Sequence, residues 1–473
     1  MEYLSNAVLG SFSSGTSTTK DRDRNIYQLI RDQGYPFEMH FYETEDGYIN
    51  KVVRISGGKN SDPIKNLEKG GPRKPVVILQ HGLNCSCTDW ILNDKNSLAF
   101  ILADNGYDVW MNNTRGNRYS RHHMFLDPDV DKKEFWDYSF EDMAKYDQPA
   151  LFNFVLMKTG VAKVTYIGHS QGTSQMFCAL SENLQFFKDR MNLFIALAPV
   201  VRLDSCSSGL ILKMKDNQHI ENLLIKNEIF EITPAKKNNK AAAFFHKIFP
   251  EISNFGLKML SDDDPREVNQ NCLEGYLSHY PAGTSLKTIR HFKQVMNKKS
   301  FEHFDYGQEE NIRRYGQEQP PQIPLENIKD FPIALLAGQE DKLANINDVR
   351  WLKEKLESQN SVVFYEEYKF GHLSFLIPNS LKHFQDVVQL VNKYNPVYLS
   401  SKLRNYSSSS RSGSFQNNYQ MESGPNTPQK EQAQLIQMVE NLSATQSSSP
   451  LKEDSQLNNQ GNDSNKIDSV QFM

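Results

Sequence analysis

The chain has 473 residues, of which 38% are hydrophobic and 11% aromatic, enough apolar side chains for a sizeable core. Its formal net charge is −4 and it contains no basic stripe, which argues against a nucleic-acid-binding protein. No run of about 18 apolar residues occurs, so we expect no transmembrane helix.

Residues 1–23 are polar and rich in Ser and Thr, a composition that predicts a disordered segment. They lack a basic stretch followed by an apolar run, which is the pattern of a signal peptide. The five cysteines are odd in number and irregularly spaced, which favours reduced thiols over a disulfide framework. These features predict an intracellular protein, cytoplasmic or peripheral on lipid surfaces, and leave a lysosomal or secreted location open.

Short apolar strands alternate with helices between residues 24 and 203. This alternation predicts a mostly parallel, doubly wound sheet, preceded by a hairpin that turns at Asp46-Gly47. In the helix predicted over Ser139–Met157, Met143, Ala144, Tyr146 and Ala150 are candidates for the inner face. The other predicted elements are a helix from Asn25, strands over Pro75–Leu79, Tyr107–Met111 and Leu193–Leu197, and a helix over Ser97–Ala103.

The stretch from Val164 to Gly172 reads V-T-Y-I-G-H-S-Q-G. Four β-formers lead into G-H-S-Q-G, and a potential helix follows from Thr173 to Asn183. Strand, sharp turn and helix around a serine flanked by glycines is the nucleophile-elbow pattern. The backbone at Ser170 must be strained to expose its hydroxyl, and side chains at positions 168 and 172 would collide. Ser170 is therefore the candidate nucleophile.

An insertion interrupts the alternation at residues 204–324, and we interpret it as a helical cap at the carboxyl edge of the sheet. Helices are predicted at 208–215, 241–249 and 286–296. We expect most of the apolar residues between 244 and 260 to pack the cap on the core, although they could also supply an acyl-binding wall. The sheet resumes over residues 325–395, with strands at 332–336 and 362–368 and helices at 347–357 and 380–391. Residues 396–473 are rich in Ser, Asn and Gln, which predicts a disordered tail.

To act as a nucleophile, a serine hydroxyl needs a base to take its proton and an acid to orient that base. In a fold with a nucleophile elbow, the acid follows the serine in the chain and the histidine base follows the acid. His372 directly follows a predicted strand, whereas His383 falls inside the last helix, where we expect a solvated side chain. The base is therefore predicted to be His372.

The acid should follow the strand at 332–336 on its own loop. Glu340, Asp341 and Asp348 are the candidates, but a position in the first turn of a helix already explains Asp348. We choose Asp341, and Glu340 remains the main alternative.

The oxyanion needs two backbone donors. One is the N–H of Gln171, directly after the nucleophile, and Leu83 in the H-G-L loop at 81–83 is the best second donor. His81 precedes Ser170 in the chain and is interpreted as a loop-fixing residue. No metal-ligand motif is completed around Cys85 and Cys87, so no metal or other cofactor is predicted.

With these residues in place, the chain resembles the acid lipase family, which includes gastric and lysosomal acid lipases, over about residues 25–394. The matching stretches are G-Y-P at 34–36, T-E-D-G-Y at 44–48, H-G-L at 81–83, residues 97–110, N-T-R-G-N at 113–117, residues 135–147, G-H-S-Q-G-T at 168–173, A-L-A-P-V at 196–200, residues 277–285 and D-K-L-A at 341–344.

The resemblance implies an α/β-hydrolase fold and hydrolysis of carboxylic esters of neutral lipids, triacylglycerols or sterol esters, at a lipid–water interface. It places Ser170, Asp341 and His372 on the family's triad positions and Leu83 and Gln171 on its oxyanion donors. For Asn113, Arg115 and Gly116 we expect a role in bracing a loop. Two alternatives stay open: an esterase, thioesterase or acyltransferase on other acyl substrates, and a non-catalytic lipid-binding protein of the same fold.

Overall fold

The computed structural model describes residues 21, 24–59, 74–207, 218–233 and 266–395 of the chain. The predictions for the tail, for the helices at 208–215 and 241–249, for the apolar residues 244–260 and for nearly all of the N-terminal segment lie outside the described residues. The boundaries drawn at 204 and 324 stay predictions.

The central sheet has eight strands in the order β1-β2-β4-β3-β5-β6-β9-β10. Their bounds are β1 Glu38–Glu43, β2 Ile49–Ile55, β3 Val76–Gln80, β4 Asp108–Asn112, β5 Val164–His169, β6 Met191–Leu197, β9 Ile333–Gly338 and β10 Val362–Tyr368. The pairs β1/β2 and β2/β4 are antiparallel, and all other neighbours are parallel. The predicted mostly parallel sheet is therefore confirmed.

Burial explains why the inner strands were recognisable as continuous apolar runs. Every residue of β3, β4, β5 and β9 is buried, as expected for parallel strands covered on both faces. In contrast, β10 lies at the edge of the sheet and most of its side chains are half-buried.

The helices predicted within the described residues are present, with bounds that differ from the predictions by five residues at most, and four further helices there were not predicted. Asn25 caps the first helix, where its side chain accepts a hydrogen bond from the N–H of Gln28. The helices are α1 Ile26–Arg31, α2 Leu98–Asp104, α3 Lys132–Phe135, α4 Phe140–Asp142, α5 Gln148–Thr159, α6 Gln171–Lys188, α7 Gln218–Lys226, α8 Gln270–His279, α9 Leu286–Lys298, α10 Gln308–Tyr315, α11 Ile346–Glu357 and α12 Lys382–Tyr394. Among the described residues, none of these helices combines the length and apolar character that crossing a membrane requires.

The helix predicted over Ser139–Met157 is not continuous. A π-helical turn at Met143–Asp147 separates α4 from α5. A π turn holds an extra residue and so rotates the later side chains relative to a regular helix. Met143 and Ala144 are buried as predicted, but Tyr146 and Ala150 are only half-buried. Ala150 packs against the core all the same, as predicted, whereas Tyr146 belongs to none of the described core clusters and the prediction for it was wrong. The π turn buries Asp147 instead.

The described parts of the insertion lie between β6 and β9, which are neighbours in the sheet. They include α7 to α10, and the predicted helix at 286–296 is confirmed as α9. Two short antiparallel strands, β7 (Glu231–Ile232) and β8 (Thr284–Ser285), pair with each other. We call β7, β8 and their flanking residues Thr233 and 280–283 the cap ribbon.

Candidate active site

Ser170 lies at the turn between β5 and α6, as the elbow pattern predicts. Its φ of 53° is in the left-handed region, which side chains other than glycine seldom adopt. A Cβ at Gly168 would lie 2.9 Å from the carbonyl of Gly172, and one at Gly172 would lie 2.6 Å from the carbonyl oxygen of Gln80. The two glycines are thus required by the close approach of strand and helix.

The elbow is also tied to the loop after β6. The hydroxyl of Thr173 donates to the carbonyl of Ser170 at 2.6 Å and accepts from the N–H of Val200 at 2.9 Å. Only 6% of Ser170 is exposed to solvent. The strained conformation of Ser170 is therefore held from both sides of the turn.

Asp341 and His372 lie together at the carboxyl ends of the neighbouring strands β9 and β10. The Nδ1 of His372 is 2.7 Å from Oδ2 of Asp341. The other carboxylate oxygen of Asp341 accepts from the N–H groups of Leu343 and Ala344 at 2.9 and 2.8 Å. A carboxylate held in this way fixes the orientation of the imidazole.

The two other acid candidates are elsewhere. Glu340 is exposed. Asp348 is buried and pairs with Arg202 at 3.0 Å, and it also accepts from the N–H of Ser205 at 2.8 Å. The helix dipole alone was therefore an incomplete explanation of Asp348, because its carboxylate anchors the chain that leaves β6.

His169 connects the elbow to the histidine loop, and the sequence reasoning missed it. Its Nε2–H donates to the carbonyl of His372 at 3.1 Å, and the centres of the two rings are 4.8 Å apart. Burial lowers the pKa of His169 well below its usual value, which keeps this ring neutral. Its place next to Ser170 was the only available signal, since the partner is 203 residues away.

The expectation of a solvated His383 was wrong. Its side chain is fully buried, and its Nε2–H donates to the carbonyl of Phe375 at 3.2 Å. Burial lowers its pKa to about 3. His383 packs against the rings of Phe370 and Phe384, so the face of α12 that carries it supports the loop of His372 from below.

The H-G-L loop passes beside the nucleophile. A Cβ at Gly82 would lie 3.1 Å from the Cβ of Ser170, so only glycine allows this approach without a shift. Within the described ranges, the N–H groups of Leu83 and Gln171 have no hydrogen-bond acceptor. Unpaired backbone donors on the loop beside the nucleophile and on the residue directly after it suit an oxyanion.

His81 holds the start of this loop. Its Nδ1–H donates to the carbonyl of Gly82 at 2.8 Å, and its Nε2 accepts from the N–H of Thr114 at 3.1 Å. Burial lowers the pKa of His81 to about 4, so the ring is neutral and can accept. This geometry agrees with the interpretation of His81 as a loop-fixing residue.

Arg115 braces the neighbouring loop through two carboxylates. It is 1% exposed, and its guanidinium contacts Asp147 at 2.7 Å and Asp46 at 2.6 Å. The ring of Tyr48 lies 3.9 Å from the guanidinium carbon. Asn113 ties the same loop to the segment after H-G-L, since its Oδ1 accepts from the N–H of Cys87 at 3.0 Å.

Two family models match the chain. One, described as "alpha/beta hydrolase fold", matches residues 75–377, and the other, described as "Partial alpha/beta-hydrolase lipase region", matches residues 26–94. The fold and the strained serine turn thus define an α/β hydrolase.

The chain is also similar, over most of its length, to proteins that are named as lipases. It is 37% identical to a lysosomal acid lipase/cholesteryl ester hydrolase of Macaca fascicularis over 406 residues, which cover 82% of this chain and 96% of that one. It is 38% identical to the human gastric triacylglycerol lipase over 384 residues, covering 78% and 91%, and 34% identical to human lipase member K, covering 83% and 96%. The chain belongs to the acid lipase family.

Proposed function

We propose that the protein is a lipase that cleaves the carboxylic ester bonds of neutral lipids, triacylglycerols or sterol esters, with Ser170, Asp341 and His372 as its catalytic triad. The observation that carries the proposal is the 2.7 Å contact between His372 and Asp341 at the edge where Ser170 forms its strained turn. The names of the lipase relatives support the class of substrate.

In the first step, His372 takes the proton of the Ser170 hydroxyl as its oxygen attacks the ester carbonyl carbon. The N–H groups of Leu83 and Gln171 donate to the oxyanion of the tetrahedral intermediate. The bond to the alcohol oxygen then breaks, and His372 gives its proton to the departing alcohol, which leaves an acyl-enzyme on Ser170.

In the second step, water attacks the acyl-enzyme and His372 takes a proton from it. The tetrahedral intermediate collapses, the fatty acid leaves, and the proton returns to Ser170. Asp341 keeps the imidazole oriented and balances its charge in both steps. The reaction needs no metal or organic cofactor, because nucleophile, base and oxyanion donors all belong to the chain.

The experiment measures labelling by a fluorophosphonate probe and hydrolysis of two esters, a short water-soluble one and an emulsified long-chain triacylglycerol or sterol ester. We expect the wild type to be labelled and to prefer the emulsified substrate. Ser170→Ala should lose labelling and about 10⁶-fold in kcat, and His372→Ala a similar factor.

Preference for the short ester or for a thioester would replace the lipase assignment with another acyl-enzyme activity. A wild type that folds but neither reacts with the probe nor turns over would indicate a lipid-binding protein. The intracellular location stays a prediction, which fractionation of cells with organelle markers tests.

A further inference from the structure

The residue that follows the Leu83 donor is held by the cap. Asn84 directly follows Leu83, and its carbonyl accepts from the N–H of Ala282 at 2.5 Å. Its side-chain Oδ1 lies 2.7 Å from the hydroxyl of Thr233. Both partners, Ala282 and Thr233, belong to the cap ribbon.

Both residues at the centre of this contact have strained backbones. Asn84 has a φ of 60°, which asparagine tolerates, and Thr233 has a φ of 50°, which is unusual for a β-branched residue. Such conformations persist only where the surroundings impose them, and they concentrate at functional sites. Here the strain at Thr233 brings its hydroxyl to the Asn84 side chain.

The cap ribbon is itself seated on the loop after β4. The backbone N–H of Arg118 donates to the carbonyl of Ala282 at 2.8 Å, and its guanidinium donates to the carbonyl of Pro281 at 2.8 Å. Arg121 pairs with Glu231 of β7 at 2.9 Å. This loop also contains Thr114, which donates to His81 at the start of the oxyanion loop. The core therefore holds the oxyanion loop at His81 and again at Cys85 and beyond, and the cap ribbon holds Asn84 between these points.

We propose that Asn84 is a positioning residue through which the cap ribbon sets the place of the Leu83 N–H relative to Ser170. The inference rests on the proposed function and deepens it, because it makes the oxyanion site complete only when the ribbon is seated. Released from Thr233, Asn84 can relax from its left-handed conformation, and the preceding N–H turns away from the position of the oxyanion. A misplacement of about 1 Å in an active site can lower turnover by up to about 10²-fold.

The test compares two substitutions of Thr233. Both are made in the full-length chain and assayed on a short ester. Thr233→Val removes the hydroxyl but keeps the shape, and Thr233→Ser keeps the hydroxyl. We expect kcat to fall about tenfold in Thr233→Val with KM within about twofold of the wild type, and Thr233→Ser to retain wild-type kcat.

The affinity for a trifluoromethyl ketone inhibitor is a second measurement, and a general loss of stability would not change it. The adduct of this inhibitor with the serine carries an oxyanion, so its affinity should fall by the same factor as kcat in Thr233→Val. Lys226→Gln is the control, since Lys226 is exposed at the end of α7, five residues before β7, and is not among the residues that seat the ribbon. We expect unchanged kcat and affinity in this variant.

The proposal is overturned if Thr233→Val has the kcat of the wild type, or if Lys226→Gln loses as much kcat as Thr233→Val does. A wild type without ester hydrolysis or probe labelling would instead remove the proposed function and this inference with it. A rise in KM alone, with kcat unchanged, would also contradict a positioning role.

Discussion

The sheet edge and the cap are each held in place by a different set of interactions. At the sheet edge, Asp341 and His372 follow the parallel strands β9 and β10, whose backbone hydrogen bonds position them. The described part of the cap contacts the core through apolar side chains that join the main core cluster, Val295 and Phe301 among them. It also does so through charged pairs: Lys287 with Asp142 at 3.7 Å, and His303 with Glu141 at 2.9 Å. The proposed catalytic groups thus follow uncharged backbone contacts, whereas part of the attachment of the cap consists of ion pairs that pH and salt can weaken.

The attachment of the cap is not purely ionic. The ring of Phe140 in α4 stacks on His291 of α9, with centres 4.1 Å apart, and on Phe301 at 5.7 Å. Burial lowers the pKa of His291 to about 4, so this contact does not change with pH in the neutral range. An uncharged aromatic contact flanked by ion pairs keeps the cap in place while its edges respond to solution conditions.

The largest expected effect is a loss of catalysis in a variant that leaves both the sheet edge and the cap folded. Asp341→Asn should lower kcat about 10⁴-fold, because an amide donor stabilises the wrong tautomer of His372. The matched control is Glu340→Gln, one residue earlier and exposed, which should stay within about twofold. Initial rates on a short ester, with circular dichroism as the check on folding, decide between them. A larger loss in Glu340→Gln would transfer the role of triad acid to Glu340.

Within the core, the next largest effect concerns stability. Arg115→Leu leaves the carboxylates of Asp147 and Asp46 without their buried partner, and this should lower the free energy of unfolding by about 3–5 kcal/mol. Urea unfolding measures the change. Arg313→Gln on α10 removes an exposed ion pair and should leave the midpoint unchanged. A loss below about 1 kcal/mol in Arg115→Leu would show that the network is dispensable.

The titration of Asp89 tests the contact between the core and the cap. It is 4% exposed and close to Cys85, Arg118 and the cap residue Tyr276, and burial raises its pKa to about 7. Because the folded pKa is above the value of 3.8 for an unperturbed Asp, the folded state binds more protons and loses stability as pH rises from about 4 to about 7. Asp89→Asn should lack this loss and be more stable at pH 8 by on the order of 3 kcal/mol.

The measurement is urea unfolding of wild type and Asp89→Asn at pH 5 and pH 8. The two proteins should differ much more at the higher pH. Equal differences at both pH values would mean that Asp89 does not titrate between them, and that the contact with the cap is insensitive to pH.

The smallest expected effect concerns the ion pair at the end of the cap. Carboxylates of Glu141 and Glu182 raise the pKa of His303 to about 9, and the pKa of Glu141 is lowered to about 2. Stability from a raised histidine pKa is fully present below 6.5 and is lost as pH rises through about 9. His303→Gln should therefore cost about 1–2 kcal/mol at pH 6 and almost nothing at pH 10.

Urea midpoints at the two pH values, each with and without 1 M NaCl, measure this effect and its screening by salt. A cost at pH 10 equal to that at pH 6 would assign the role of His303 to packing and not to charge.

Local patterns were sufficient for the parts of the site that depend on neighbours in the chain. Asp46-Gly47 predicted the hairpin turn, and the continuous apolar runs predicted the inner strands within a residue or two. The elbow followed from glycines two residues on either side of Ser170, because the steric reason for them is local. Chain order then restricted the acid to one loop and left Asp341 and Glu340 unresolved.

The errors have a shared cause. The π turn before α5, the burial of His383 and the partners of Asp348 all depend on which side chains meet across the fold. A pattern of apolar spacing cannot show that Asp147 turns inward to reach a guanidinium 32 residues earlier. The position of each of these residues is set by its tertiary contacts and not by its local propensity.

The sequence by itself determined the sheet, the serine turn and the short set of candidates for the triad, because hydrophobic periodicity and glycine sterics act between residues close in the chain. Only the tertiary structure decided that Asp341 contacts His372 and that Asn84 meets Thr233, 149 residues later in the chain. Hydrogen bonds form only within about 3 Å, and the positions of remote side chains to that accuracy result from packing of the whole core.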